Sequence, residues 1–188
     1  MALYFLDSSA LVKRYISETG SAWVLGLFAA ALNNEIFIAA IAKVEIVAAI
    51  TRRSRTGSIR VTDATAIVHQ LRKDSLKDYQ VIEITESIIN SGMVLAETYG
   101  LRGYDAIQLA VGCAVNTLCL ASGLPSITFV SADNELNVAV ISEGLLMENP
   151  NNHPSYSGKR LSEIQTKLCL AWFIARDTVP HTTAHRYK

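Results

Sequence analysis

The chain is 188 residues long, 50% hydrophobic and 18% charged, with 17 basic and 17 acidic side chains and a mean hydropathy of +0.25. That length fits one domain with an appendage, since domains cluster at about 100 to 150 residues, and the apolar composition excludes disorder over most of the chain and points to heavily buried helices or an oligomer interface. The neutral total hides an asymmetry: residues 1–150 carry 11 basic against 15 acidic side chains and residues 151–188 carry 6 against 2, so a basic extension follows an acidic domain.

In chain order, the apolar run Leu3 to Leu6 reads as a buried strand that stops on Asp7, and Ser8 and Ser9 lead into a helix from Ala10 to about Tyr15. Ser17 is expected to cap a second helix running to Leu32, followed by the strand EIFIA at 35–39 and a helix closed by Gly57. Thr62 is expected to cap a helix reaching Tyr79, with the strand QVIEI at 80–84 next and a helix opened by Thr85 and Glu86 and ended by Gly100. A helix from about Tyr104 to Leu120, a strand at Ile127 to Val130, a helix from Asp133 to Gly144 and the strand LLME at 145–148 complete the domain. Strands this apolar, alternating with helices, predict a three-layer α/β/α sandwich around a mainly parallel sheet of about five strands. The polar stretch from Asn149 reads as a linker, and 151–188 as an extension in which Leu161, Ile164, Leu168, Trp172 and Ala175 mark the stripe of an amphipathic helix.

Residues 106–132 contain no charge, yet Gln108, Asn116, Gly123 and Pro125 interrupt them, so a buried helix followed by a buried strand fits better than a membrane span. The N-terminus has no basic leader segment and begins a strand at once, so no secretory signal is expected. Cys113, Cys119 and Cys169 are odd in number and lack CxxC spacing, which fits small buried side chains in a reducing cytoplasm.

Four acids stand in apolar company: Asp7 after LYFL, Glu45 in IAAIAKVEIVAAI, Asp105 in RGYDAIQLAV and Asp133 after ITFVSA. Taken singly, each has an ordinary explanation, with Asp7, Asp105 and Asp133 as helix caps and Glu45 paired to a distant Arg or Lys. Taken together they suggest convergence, because Asp7 and Asp133 both follow strands and fall on one edge of a parallel sheet. Each like-charge pair at ~5 Å would cost roughly 3 kcal/mol at an effective dielectric of 20, so a cation between them is expected. A carboxylate set without His or Cys suits Mg²⁺ or Mn²⁺ rather than zinc, and such a site activates water for phosphodiester hydrolysis. Ser8, Ser9 and Ser131 are candidates for orienting a carboxylate or a metal-bound water. Lys13, Arg14, Arg52 and Arg53, with Arg55 and Arg60 beyond them, are candidates for phosphate contacts.

FLDSSALVKRY, VEIVAAITRR, LRGYDAIQLA and FVSADNEL…EGLLMENP together resemble the PIN domain family, and VapC-type toxins of bacterial toxin–antitoxin pairs in particular. The resemblance covers residues 2–150 in order and spacing. It implies the same α/β/α fold, a metal-dependent endoribonuclease activity, the quartet Asp7, Glu45, Asp105 and Asp133 with Ser131 as the Ser/Thr position, an RNA substrate, a VapB-like antitoxin partner and a homodimer. Residues 151–188 extend past the end of such a domain; an amphipathic helix there could dock on the domain in cis and dampen activity or antitoxin binding.

Rival folds fail on their own chemistry. A haloacid-dehalogenase-type phosphatase needs a second Asp where Ser9 stands, and no GxGxxG or GxxxxGK[ST] follows a strand. A phosphorelay receiver would need adjacent acids after its first strand. The remaining alternative is a non-catalytic RNA-binding or protein-interaction module on a PIN-like scaffold, which has no need of four acids. His181 and His185 have helical metal-ligand spacing but lie in a polar terminal stretch where such pairs are commonly incidental.

Overall fold

The computed structural model describes residues 1–153, so the expected amphipathic helix, Cys169, His181 and His185 lie outside the described residues. Five strands, β1 (Leu3–Leu6), β2 (Glu35–Ala39), β3 (Gln80–Ile82), β4 (Thr128–Val130) and β5 (Leu146–Glu148), form one sheet. Their order is β3-β2-β1-β4-β5 and every neighbouring pair is parallel. In β1, Leu3 and Phe5 enter one hydrophobic core while Tyr4 and Leu6 enter another, so neither face is left to water. The expected three-layer α/β/α sandwich forms.

One face of the sheet is covered by α1 (Ser8–Leu11), α2 (Ser21–Leu27), α3 (Ala40–Arg55) and α4 (Val61–Asp74), and the other by α5 (Glu86–Tyr99), α6 (Gly103–Ala121) and α7 (Asn134–Ser142). By length and composition alone α6 could cross a membrane. Here it is a core helix, supplying Ala106, Leu109, Val111 and Val115 to the interior, and the uncharged stretch divides into α6 and β4 as expected. It can lie close to the sheet because Gly112 has no side chain: a Cβ there would come within 2.6 Å of the Phe129 ring.

Several boundaries differ from expectation, each for a local reason. The helix expected to reach Leu32 stops at Leu27, because Asn34 Nδ2 donates to the Leu27 carbonyl and so competes with continued helix. A separate 3₁₀ turn follows at Ala30–Leu32. The start of α2 is set by Gly20 rather than Ser17; Gly20 has φ +85, and a Cβ there would lie 2.2 Å from the Pro150 carbonyl oxygen. α4 begins after Arg60 and ends at Asp74, short of Tyr79, since Asp74 and Tyr79 turn inward around Arg14. The stretch expected to be a linker opens instead with a 3₁₀ turn at Pro150–Asn152, where Pro150 is buried and His153 stacks on Trp23 with ring centroids 4.5 Å apart.

Candidate active site

Leu6 pairs with Val130, so the chain leaves two neighbouring strands at Asp7 and Ser131. From β1 the chain proceeds to β2 and β3 on one side, whereas β4 and β5 lie on the other. The helices that follow β1 and β4 therefore pack on opposite faces, and a crevice opens at the C-terminal edge, the usual ligand position in open α/β sheets.

Asp7 lies at the base of that crevice, 2% exposed. It is the N-cap of α1, accepting from Ala10 N at 2.8 Å. Ser9 Oγ reaches both carboxylate oxygens, at 2.8 and 2.9 Å, and Ser131 Oγ donates to Oδ2 at 2.9 Å. The serines are themselves fixed from the β4 side, Ser9 Oγ accepting from Ala132 N at 2.8 Å and Ser131 Oγ from Asp133 N at 3.0 Å. The two strand ends are thus stitched together around one carboxylate. Burial pushes the Asp7 carboxyl up to about 7, outweighing all these hydrogen bonds, and the charge of Glu45 pushes in the same direction.

Glu45 comes from the second turn of α3 and is half-buried. Gln108 Nε2 donates to its Oε2 at 2.8 Å. Burial raises its carboxyl above the usual range, the hydrogen bonds from Gln108 and Ser8 oppose this, and the charge of Asp105 adds to it. Asp105, in the first turn of α6, is raised by burial and by the charges of Asp133 and Glu135, while the Arg102 guanidinium lowers it. Asp133 caps α7, its Oδ1 accepting from Glu135 N at 2.8 Å and Leu136 N at 3.2 Å. The four acids therefore form a relay of like charges, Asp7 to Glu45 to Asp105 to Asp133.

For Asp7 and Asp133 the capping reading holds, and it is compatible with the coupling of each to a neighbouring acid. Asp105 is no cap, because Arg102 occupies that position, and Glu45 is held by a neutral amide rather than by Arg or Lys. Arg102 and Glu135 do not stand out in the sequence, and Gln108 does so only as a polar interruption of the uncharged stretch. The available signal was the spacing: Gln108 stands three residues after Asp105, so the two share one side of α6.

Among the described residues, no three His, Cys, Asp or Glu side chains lie close enough together to hold a metal ion. The donor set nonetheless fits a hydrated Mg²⁺ or Mn²⁺, which keeps several waters and takes only one or two carboxylates directly. Buried beside Glu45, Gln108 Oε1 has no partner among the described residues, an acceptor suited to such a water.

The basic candidates divide. Lys13 is buried against Glu18 at 3.3 Å. Arg14 pairs with Asp78 at 2.6 Å and Asp74 at 3.3 Å, donates to Tyr79 Oη at 2.8 Å and lies 4.0 Å over the Phe28 ring. Both are committed to holding α1, α2 and α4 together. Arg53 also pairs with Glu18. Arg52 is exposed without an ion pair among the described residues, and it lies two helical turns from Glu45 on the same side of α3.

Solved structures with the same fold include a toxin–antitoxin complex from Klebsiella pneumoniae (TM-score 0.51, 16% identity, covering 78% of this chain and 97% of that one). PAE2754 from Pyrobaculum aerophilum (TM-score 0.53, 18% identity, 80% and 85% covered) and FitAcB from Neisseria gonorrhoeae (TM-score 0.53, 13% identity, 79% and 97% covered) are also similar. Comparison with curated proteins gave no match. A family model describing the PIN domain matches residues 4–137. With that match spanning the sheet from β1 into α7 and all four acids inside it, the chain belongs to the PIN domain family.

Proposed function

We propose that the protein is a Mg²⁺- or Mn²⁺-dependent endoribonuclease, the toxin of a type II toxin–antitoxin pair. The feature that supports the reading is the chain of pairwise like-charge influences that links Asp7, Glu45, Asp105 and Asp133, carboxylates from four separate elements. A fold gains nothing in stability by gathering like charges, so such a cluster points to a cation and to chemistry. PIN domains are generally nucleases, which supports the same reading.

Asp7, Glu45, Asp105 and Asp133 would hold the metal, which when bound supplies a Lewis acid for a phosphate oxygen and lowers the pKa of an attacking water. The chain's own part is positioning. Three donors, Ser9 Oγ, Ser131 Oγ and Ala10 N, fix the Asp7 carboxylate and leave one of its roughly four acceptor sites for the ion, so it is a rigid anchor. Glu45, half-buried and raised by burial, is the better acceptor for the proton that the attacking water loses. Arg52 and Arg102, exposed near Glu45 and Asp105, are the cations placed to meet flanking phosphates.

The Klebsiella pneumoniae structure is a toxin–antitoxin complex, which supports a VapB-like antitoxin as the physiological partner. We assign the protein to the cytoplasm, where thiols such as Cys113 and Cys119 stay reduced, and to a homodimer. Incubation of the purified protein with single-stranded RNA and Mn²⁺ should give internal cleavage that chelation stops, and Asp105→Asn should reduce it at least about a hundredfold without unfolding the protein. RNA binding with no cleavage by the wild type would instead favour the non-catalytic module, and undiminished cleavage by Asp105→Asn would remove the quartet from the mechanism.

A further inference from the structure

We propose that Gln108 is a positioning residue of the acidic site, holding Glu45 with its amide N–H and offering its amide oxygen to the water shell of the bound cation. The proposal rests on the nuclease reading, but its test does not depend on RNA cleavage. Gln108 is 1% exposed, on a helix whose other buried positions are Ala, Leu, Val, Gly and Cys. Such a position favours an apolar side chain unless the polar one has a task. Half of that task is visible: Nε2 donates to Glu45 Oε2 at 2.8 Å and so ties α6 to α3, the two helices that bring Asp105 and Glu45 to the site.

The other half follows from the amide's asymmetry. A carboxylate accepts only, so Glu45 requires the NH₂ end and leaves Oε1 facing elsewhere. That atom is buried and has no partner among the described residues. It belongs to the same planar group as the Nε2 that touches Glu45, so a water in contact with Glu45 is within its reach. Waters on a hard divalent cation are strong donors, and Mg²⁺ retains several of them in protein sites. A buried acceptor without a protein donor, adjoining a carboxylate in a relay of four, is matched to such a water. Gln108 thus acts on the metal through Glu45 and through solvent, in the manner of the outer residues that fix metal ligands.

Calorimetric titration of the full-length protein with MnCl₂ in the absence of RNA, alongside melting with and without Mn²⁺, tests this. Gln108→Met, similar in length and without donors, should weaken Mn²⁺ binding about 10- to 100-fold and shrink the Mn²⁺-induced rise in Tm. In a Glu45→Gln background the same substitution should cost less than in the wild type, because only the contact of Oε1 with the water shell is then left to lose. Should Gln108→Met fail to fold, Gln108→Asn, which withdraws the amide by one methylene, should show the same loss of affinity. Unchanged Mn²⁺ affinity in the folded variant overturns the assignment, as does an equal loss in the wild-type and Glu45→Gln backgrounds, which marks a general structural brace. A wild type that binds no Mn²⁺ overturns the nuclease reading and this proposal with it.

Discussion

At Asp7 two forces of opposite sign act on one carboxyl group. Three donors favour the anion, yet the group is enclosed by β1, β4 and α1, and burial prevails, placing its pKa near 7 against an ordinary 3.8. In the metal-free protein the native state then holds a proton that the unfolded chain releases. The stabilising contribution is complete below about pH 4 and is lost as pH rises through about 7. Glu45 and Asp105 are raised as well and act in the same direction. Metal-free protein should therefore melt higher at pH 5 than at pH 7.5, with Asp7 accounting for at most about 2.5 kcal/mol of the difference. Asp7→Asn keeps an N-cap oxygen for Ala10 N, so it should be more stable than wild type at pH 7.5 and show a flatter Tm–pH profile. A wild-type Tm that is level across that range would contradict the account. The sequence made Asp7 conspicuous, because a carboxylate directly after LYFL is improbable in a core. It could not show that Ser9 and Ser131, 122 residues apart, close on it from two strands. Nor could it show that Lys13 and Arg14, adjacent in sequence to the site, turn away into ion pairs of their own.

Elements that announce their ends in short-range chemistry were legible, and those ended by distant contacts were not. Thr85 and Gly100 bound α5 as expected, the threonine hydroxyl accepting from Ile88 N and the glycine adopting φ +66. The limits of α2 and α4 depend on Asn34, Pro150, Asp74 and Tyr79, which no local pattern reveals. The packing of α6 on both of its neighbours gives a paired prediction. At Gly112 an added Cβ would come within 2.6 Å of the Phe129 ring, which is itself packed on Phe5 at a centroid separation of 4.9 Å and cannot retreat. At Gly92 on α5 the nearest atom is Ile107 Cδ1 at 2.7 Å, the mobile end of a side chain. Gly112→Ala should cost about 1 to 3 kcal/mol through overpacking. Gly92→Ala should be close to neutral, because better helix propensity offsets a small rotamer adjustment. Thermal melting decides the matter, and equal losses at the two sites would show that the α6–sheet contact is less rigid than described.

For the whole molecule, the layer count followed from the sequence because both faces of the central strands are apolar, whereas the strand order did not, since parallel pairing leaves no local trace of which strand lies beside which. The order matters for function, because it puts the reversal between β1 and β4 and so makes the crevice. It also puts α5, α6 and α7 together as one layer with its own outer surface. That surface is unusually apolar: Met93 and Val94 on α5, Leu118 on α6, and Val138 and Ile141 on α7 are each 57–67% exposed. Isolated exposed apolar residues need no explanation, but five on three adjoining helices of one layer do. The homodimer proposed above would use this surface. A two-fold contact across it would bury the five residues against their own equivalents and leave both acidic crevices, at the sheet edge, open to RNA. Sedimentation at micromolar concentration should give a dimer for the wild type. Leu118→Glu would bring like charges together across a desolvated contact and should give a monomer whose Tm is lower only by the lost association, with Mn²⁺ binding retained. Wild type sedimenting as a monomer, or Leu118→Glu remaining a dimer, would move the interface elsewhere or abolish it.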